Sequence, residues 1–155
     1  MISPEELCSC ELFAGLSDEE LAQVAAIAQE KAYQSGDLIC AEREEADRLF
    51  ILGQGRVQLH IQLRSPLEPD GEMTIEEVEP GRIFGWSSMV KQRRFTASAR
   101  ALEEVSVLTL KAEDLGALFD RSPHIGFVVT RQLAEVIASR LRRTRELCQS
   151  RDDCQ

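Results

Sequence analysis

The chain has 155 residues, 43% of them apolar and 29% charged, with a net charge of −9. That length and balance fit one soluble domain able to bury a core of its own. The negative charge argues against nucleic-acid binding by the chain alone, because neutralising phosphates needs a basic face.

The N-terminus, MISPEELCSCELF, has neither a basic leader region nor a long apolar stretch, and no apolar run approaches a membrane span. The cysteines are Cys8, Cys10, Cys40, Cys148 and Cys154, an odd number without regular spacing. They read as reduced thiols, so the expectation is a cytoplasmic protein without a membrane partner. Cys8-x-Cys10 has no second pair or nearby histidine to complete a ligand set, and no metal is expected.

In chain order, Ser17-Asp-Glu-Glu20 forms a capping box, with Leu16 and Leu21 at the staple positions, and Leu21, Val24, Ala25 and Ala28 share a face. This pattern predicts a helix from 17 to about 30. The period changes after Ser35-Gly36-Asp37. Val57, Leu59, Ile61 and Leu63 alternate with Gln58, His60 and Gln62, as a half-buried strand does, with His60 outward. Pro66, Pro69, Asp70 and Gly71 predict a hairpin loop, followed by strands at 74–78, 96–102 and 105–110. Short strands between glycine turns indicate a jelly roll or barrel. Leu115, Leu118 and Phe119 then return to helical spacing. Ser122-Pro123 caps a last helix whose apolar stripe runs through Ile125, Val129, Leu133, Val136, Ile137 and Leu141 to Leu147. The polar tail QSRDDCQ is expected to fray.

Gly55 before Val57, the segment PGRIFGW at 80–86, TASARAL at 96–102 and RQLAEVIASRLRRTREL at 131–147 together resemble the cyclic-nucleotide-binding domain family, over residues 10 to 147. The resemblance implies a mainly β protein: a double-stranded β-helix, or jelly roll, with an N-terminal helix and two C-terminal helices. Its parts would be 1–32, 33–110 and 111–148, with a tail at 149–155. It also implies a phosphate-binding cassette that reads F-G-E and, about nine residues on, an arginine before a small pair. The family's glutamate accepts from the ribose hydroxyl, and its arginine pairs with the cyclic phosphate. Backbone N–H groups after the glycine complete the cradle.

Here Phe84, Gly85, Thr96 and Ala97 match, but Trp86 replaces the glutamate and Phe95 the arginine, with Arg94 one residue early. Two lost charged hydrogen bonds amount to about 3–6 kcal/mol, or roughly 10²–10⁴ in affinity. A one-residue shift within a strand also turns a side chain to the opposite face, so Arg94 reaches the phosphate only from a loop. Trp86 either stacks on a ligand or fills the vacated cup. Ser87 and Ser88 either donate to an anion or cap a short helix. The cluster Lys91-Gln92-Arg93-Arg94 is either a solvated loop or an anion contact.

Two further departures and placements follow from the resemblance. Arg43 stands where the family usually has glycine, and Thr144 and Arg145 fall where the family's last helix meets the base. The basic run Arg140, Arg142, Arg143 and Arg145 suits a helix C-terminus. His60 and His124 lack matched partners for catalysis, and Glu42-Arg-Glu-Glu45 reads as a solvated turn.

The expectation is a stand-alone, non-catalytic regulatory or sensor domain. It would have altered ligand specificity or weak binding of cAMP and cGMP. Its ligand would be a cyclic nucleotide or another anionic small molecule. It would act through an effector protein or as a homodimer along the last helix. The alternatives are a ligand-free interaction module with a plugged cup and a small cupin-like enzyme.

Overall fold

In the computed structural model, residues 4–63, 71–91 and 94–153 are described. Helices α1 (Pro4–Cys8) and α2 (Asp18–Ile27) precede eight strands: β1 (Ala28–Tyr33), β2 (Leu38–Cys40), β3 (Arg48–Gln54), β4 (Val57–Leu63), β5 (Gly71–Val78), β6 (Ile83–Phe84), β7 (Ser98–Ala101) and β8 (Val105–Lys111). Helices α3 (Ala112–Arg121) and α4 (Pro123–Asp153) follow. The strands form two antiparallel four-stranded sheets, ordered β1-β8-β3-β6 and β2-β7-β4-β5. This is the jelly roll with flanking helices that the sequence predicts.

Strand β3 explains its own uninterrupted apolar run. Phe50 and Leu52 face the interior between the sheets, where Val57, Leu59, Phe84, Phe95 and Val107 also pack. Leu49 and Ile51 face the other way, into a second core closed by Leu12, Phe13, Val24, Leu118, Ile125 and Val129 of the helical layer. A strand buried on both faces has no place for alternating polar residues.

The predicted capping box at Ser17 is present, with Glu20 N donating to Ser17 Oγ and Ser17 N donating to the Glu20 carboxylate. The helix it starts ends at Ile27, not at 30. From Ala28 the chain pairs with β8, Ala28 opposite Leu110 through Tyr33 opposite Val105. Ala-Gln-Glu-Lys has helix-forming composition, and a distant strand overrides it. Strands β1, β2 and β6 are too short or too polar to show in the sequence. The strand predicted at 96–102 narrows to β7, and the one predicted from 74 begins at Gly71. Of the predicted hairpin loop, Pro66, Pro69 and Asp70 lie outside the described residues. Helix α4 continues through Asp153, into the segment read as a polar tail.

The stripe on α4 expected to face a partner instead covers the chain's own body. Ile125, Val129, Leu133 and Val136 are buried in the helical core and Ile137 packs against it, leaving Leu141 exposed.

Two expectations follow. Gly55 has φ +94°, and a Cβ there would lie 2.6 Å from Val105 Cγ1 and 2.7 Å from the Glu104 carbonyl oxygen. Gly55→Ala therefore costs at least about 1–3 kcal/mol of backbone strain. Calorimetry should show a melting temperature lowered by about 2–4 °C for each kcal/mol lost.

The second concerns Glu20, whose Oε2 lies 2.6 Å from His124 Nδ1 on α4. That hydrogen bond, with the one from Ser17 N, lowers the Glu20 pKa below its ordinary 4.5. A depressed carboxylate contributes stability above its unfolded pKa and loses it as pH falls through the folded one. Glu20→Gln should lower stability at neutral pH and flatten its acid dependence below about pH 4.5, read by denaturant midpoints against pH.

Candidate functional site

The segment read as the cassette runs from β6 through a left-handed glycine into a short helical turn. Strand β6 delivers Phe84, whose ring stacks on Phe50 with centroids 4.9 Å apart. Gly85 turns the chain with φ +76°, and a Cβ there would meet Phe50 Cδ2 at 2.9 Å. A 3₁₀ turn, Trp86–Met89, follows. Both serines in it are buried, and Ser88 Oγ donates to the Gly85 carbonyl, so this hydroxyl holds its own turn.

Gly85, Trp86, Ser87, Phe95, Thr96 and Ala97 line one cavity with Cys40, Leu59 and Ile75. Its volume is only about 50 Å³, against roughly 300–1,000 Å³ for most ligand pockets. Phe95 is the reason. Its side chain is 6% exposed, in the core between the sheets, with its ring 6.2 Å from that of Phe50. The backbone is fixed as well, since Phe95 N donates to the Glu44 carbonyl and Arg43 N donates to the Phe95 carbonyl. Burial pushes the neighbouring Cys40 thiol up to about 12, so it is not a thiolate at neutral pH.

Arg94 lies before β7, in an isolated antiparallel bridge with Glu45. Its exposed guanidinium donates to the Arg43 carbonyl at 2.8 Å, and Arg94 is not among the residues that line the cup. Lys91 is exposed, and Gln92 and Arg93 lie outside the described residues. Arg43, at the expected glycine position, adopts φ +74°, the left-handed conformation that a glycine takes without strain.

Trp86 lines the cup and packs, partly buried, against the helical-side core. With Leu59 and Ile75 it also lines a second cavity of about 210 Å³, completed by Glu76, Ile137, Arg140, Leu141, Arg143 and Thr144. Thr144 thus belongs to the site's helical side, with its hydroxyl donating back to the Arg140 carbonyl. Arg145 is exposed and lines neither cavity.

Arg140 is the residue that sequence reasoning missed. Its guanidinium carbon lies 4.4 Å from the Trp86 ring centroid, a cation–π distance. Its Nε is 2.9 Å from Glu76 Oε2, and its Nη2 donates to the Ile83 carbonyl. Arg143 reaches the other Glu76 oxygen at 3.2 Å. Burial lowers the Arg140 pKa, opposed by the Glu76 carboxylate. The available signal was spacing: positions 137, 140, 141 and 144 repeat at three and four, one face of a helix.

The other sequence candidates separate from this site. His60, read as outward-facing, shares a face with Ser98 and Arg100 by strand register and is only 4% exposed. It lines a separate pocket of about 220 Å³ with Glu42, Arg43, Glu72 and Arg100. Glu42 is not a free solvated group: its carboxylate accepts from Gln62 N at 3.1 Å. Cys10 is buried and accepts from Leu12 N. Among the described residues no three metal-ligating side chains converge, and no helix is long and apolar enough to cross a membrane.

Residues 30–122 match the cyclic nucleotide-binding domain family. The chain belongs to that family. It is 33% identical over 131 residues to the cyclic AMP receptor protein of Thermus thermophilus, covering 84% of this chain and 57% of that one. It is 32% identical over 138 residues to glutaminase 1 of Bradyrhizobium diazoefficiens, covering 88% of this chain and 21% of the enzyme. The chain thus spans less than two thirds of the length of either. Among solved structures, a candidate cyclic nucleotide-binding protein from Geobacter metallireducens superposes with a TM-score of 0.76 at 35% identity, covering 91% of this chain and 99% of that one. The Thermus thermophilus catabolite activator protein gives 0.76 at 29% identity, covering 92% and 63%.

Proposed function

We propose that this chain is a non-catalytic regulatory domain in which the family's nucleotide cup is closed and ligand specificity has changed. One observation carries the reading: Phe95, at the position that the resemblance gives to the arginine, is buried. The cup volume of about 50 Å³ and the outward engagement of Arg94 support it. The backbone cradle persists without either charged anchor. A phosphate brought into it would be desolvated without an ion pair, an unfavourable exchange. If the neighbouring cavity also takes nothing, the domain serves as a ligand-free interaction module.

Calorimetric titration of cAMP and cGMP tests this. The natural chain should show no binding in the low micromolar range. The paired change Trp86→Glu with Phe95→Arg should strengthen binding by roughly 10²–10⁴. A low-micromolar constant for the natural chain would overturn the reading.

The proposed assembly is a parallel homodimer along α4, on a different stripe from the one first expected. Phe127, Ala134, Leu141 and Cys148 recur every seven residues and are all exposed, Phe127 at 63% and Leu141 at 54%. A seven-residue apolar repeat is the seam of a two-helix coil, and a two-fold pairing sets each member against its own copy. Light scattering at tens of micromolar should give a dimer mass, and Phe127→Glu with Leu141→Glu should give a monomer. A monomeric natural chain would refute the pairing.

A further inference from the structure

The cavity between Trp86 and α4 has walls of two kinds. Leu59, Ile75, Ile137 and Leu141 are apolar, while Arg140, Arg143 and Glu76 are charged. The charged group is unbalanced, two guanidiniums against one carboxylate. Arg140 is the inner member, with its side chain 11% exposed. Its Nε and Nη2 are engaged, but its Nη1 is buried without a hydrogen-bond partner among the described residues. A buried donor left unpaired on a charged group is costly, and an acceptor brought to it recovers that cost.

We propose that this cavity binds a small apolar carboxylic acid as its monoanion. The carboxylate would pair with Arg140, and the hydrocarbon body would lie against Leu59, Ile75, Ile137 and Leu141. The proposal rests on the reading that the cup itself is closed to cyclic nucleotides.

Three observations select this chemistry. The excess of one positive charge is matched by a monoanion, whereas a dianion would be repelled by Glu76. With Nε and Nη2 engaged, Nη1 is the donor left for one carboxylate oxygen, a charge-assisted bond. The volume of about 210 Å³ lies below the roughly 300–1,000 Å³ of most ligand pockets, which favours a small ligand, and four aliphatic residues offer its body a surface. Ser87, from the turn whose backbone N–H groups would suit phosphate, lines the cup and not this cavity.

Trp86 is the chain's one tryptophan, so its fluorescence reports on this cavity directly. The probes are hexanoate and phenylacetate, with 1-hexanol and hexylammonium as matched controls. Both acids should give a saturable change. The alcohol should bind roughly ten- to a hundredfold more weakly, because it lacks the charged acceptor, and the ammonium should give none. Arg140→Gln should weaken the acids by a similar factor. Since Arg140 also holds α4, Thr144→Phe provides a second variant: it adds a ring at an exposed helical position on the cavity wall and should block both acids in a protein that keeps its circular dichroism.

No saturable change with either acid, equal affinity for acid and alcohol, or unchanged binding in folded Thr144→Phe would overturn the proposal. A cAMP titration run alongside separates the two ideas. Acids that fail while cAMP also fails remove only the carboxylate site, whereas low-micromolar cAMP binding removes the closed cup on which the site rests.

Discussion

A buried guanidinium ties the long C-terminal helix to the sheets. Removing Arg140 from water is costly, and the structure offsets that cost through Glu76, the Ile83 carbonyl and the Trp86 face. Each partner comes from a different part of the jelly roll: Glu76 from β5, Ile83 from β6 and Trp86 from the 3₁₀ turn. The contact therefore fixes the helix, the hairpin strand and the cassette relative to one another. Loss of Glu76 would leave one cation buried and another unpaired, so these elements are coupled through a single carboxylate.

The cassette separates backbone from side-chain chemistry. Gly85 keeps its left-handed turn because Phe50 and Phe95 leave no room for a Cβ. The short turn after it keeps its two buried serines. What has changed is the group facing the cup. A phenyl ring packed at a tilt against an aromatic pair gains apolar burial and brings no charge for an anion. The same fold thus accommodates a ligand cup or an extension of the core at this spot, depending on a few side chains.

Much of this was legible in the sequence. Ser17 and Glu20 are neighbours on the chain, so their capping box could be read from spacing alone. The β4 alternation and the Phe84-Gly85 turn were also local patterns. What was not legible depended on distant partners. Ala28 to Lys31 form a strand only because β8 lies beside them. The apolar stripe of α4 could face a partner or its own body with equal sense, and the fold decided for the body. The role of Arg140 was hidden because a basic run near a helix end has a sufficient local explanation in the helix dipole. Its function depends on Glu76 and Trp86, which lie far away in the sequence.

Helix α4 is held at two levels, by the apolar residues from Ile125 to Val136 and then by the Arg140 contacts. From 141 to 149 every residue is exposed. Arg143 still reaches Glu76, and at 1.5 Å per residue the stretch from there to Asp153 extends about 15 Å further. Such a geometry acts as a lever. A tilt of about ten degrees at the Arg140 contact would move the far end by about 3 Å. That contact lines the cavity, so any tilt arising there would be magnified at the end of the helix.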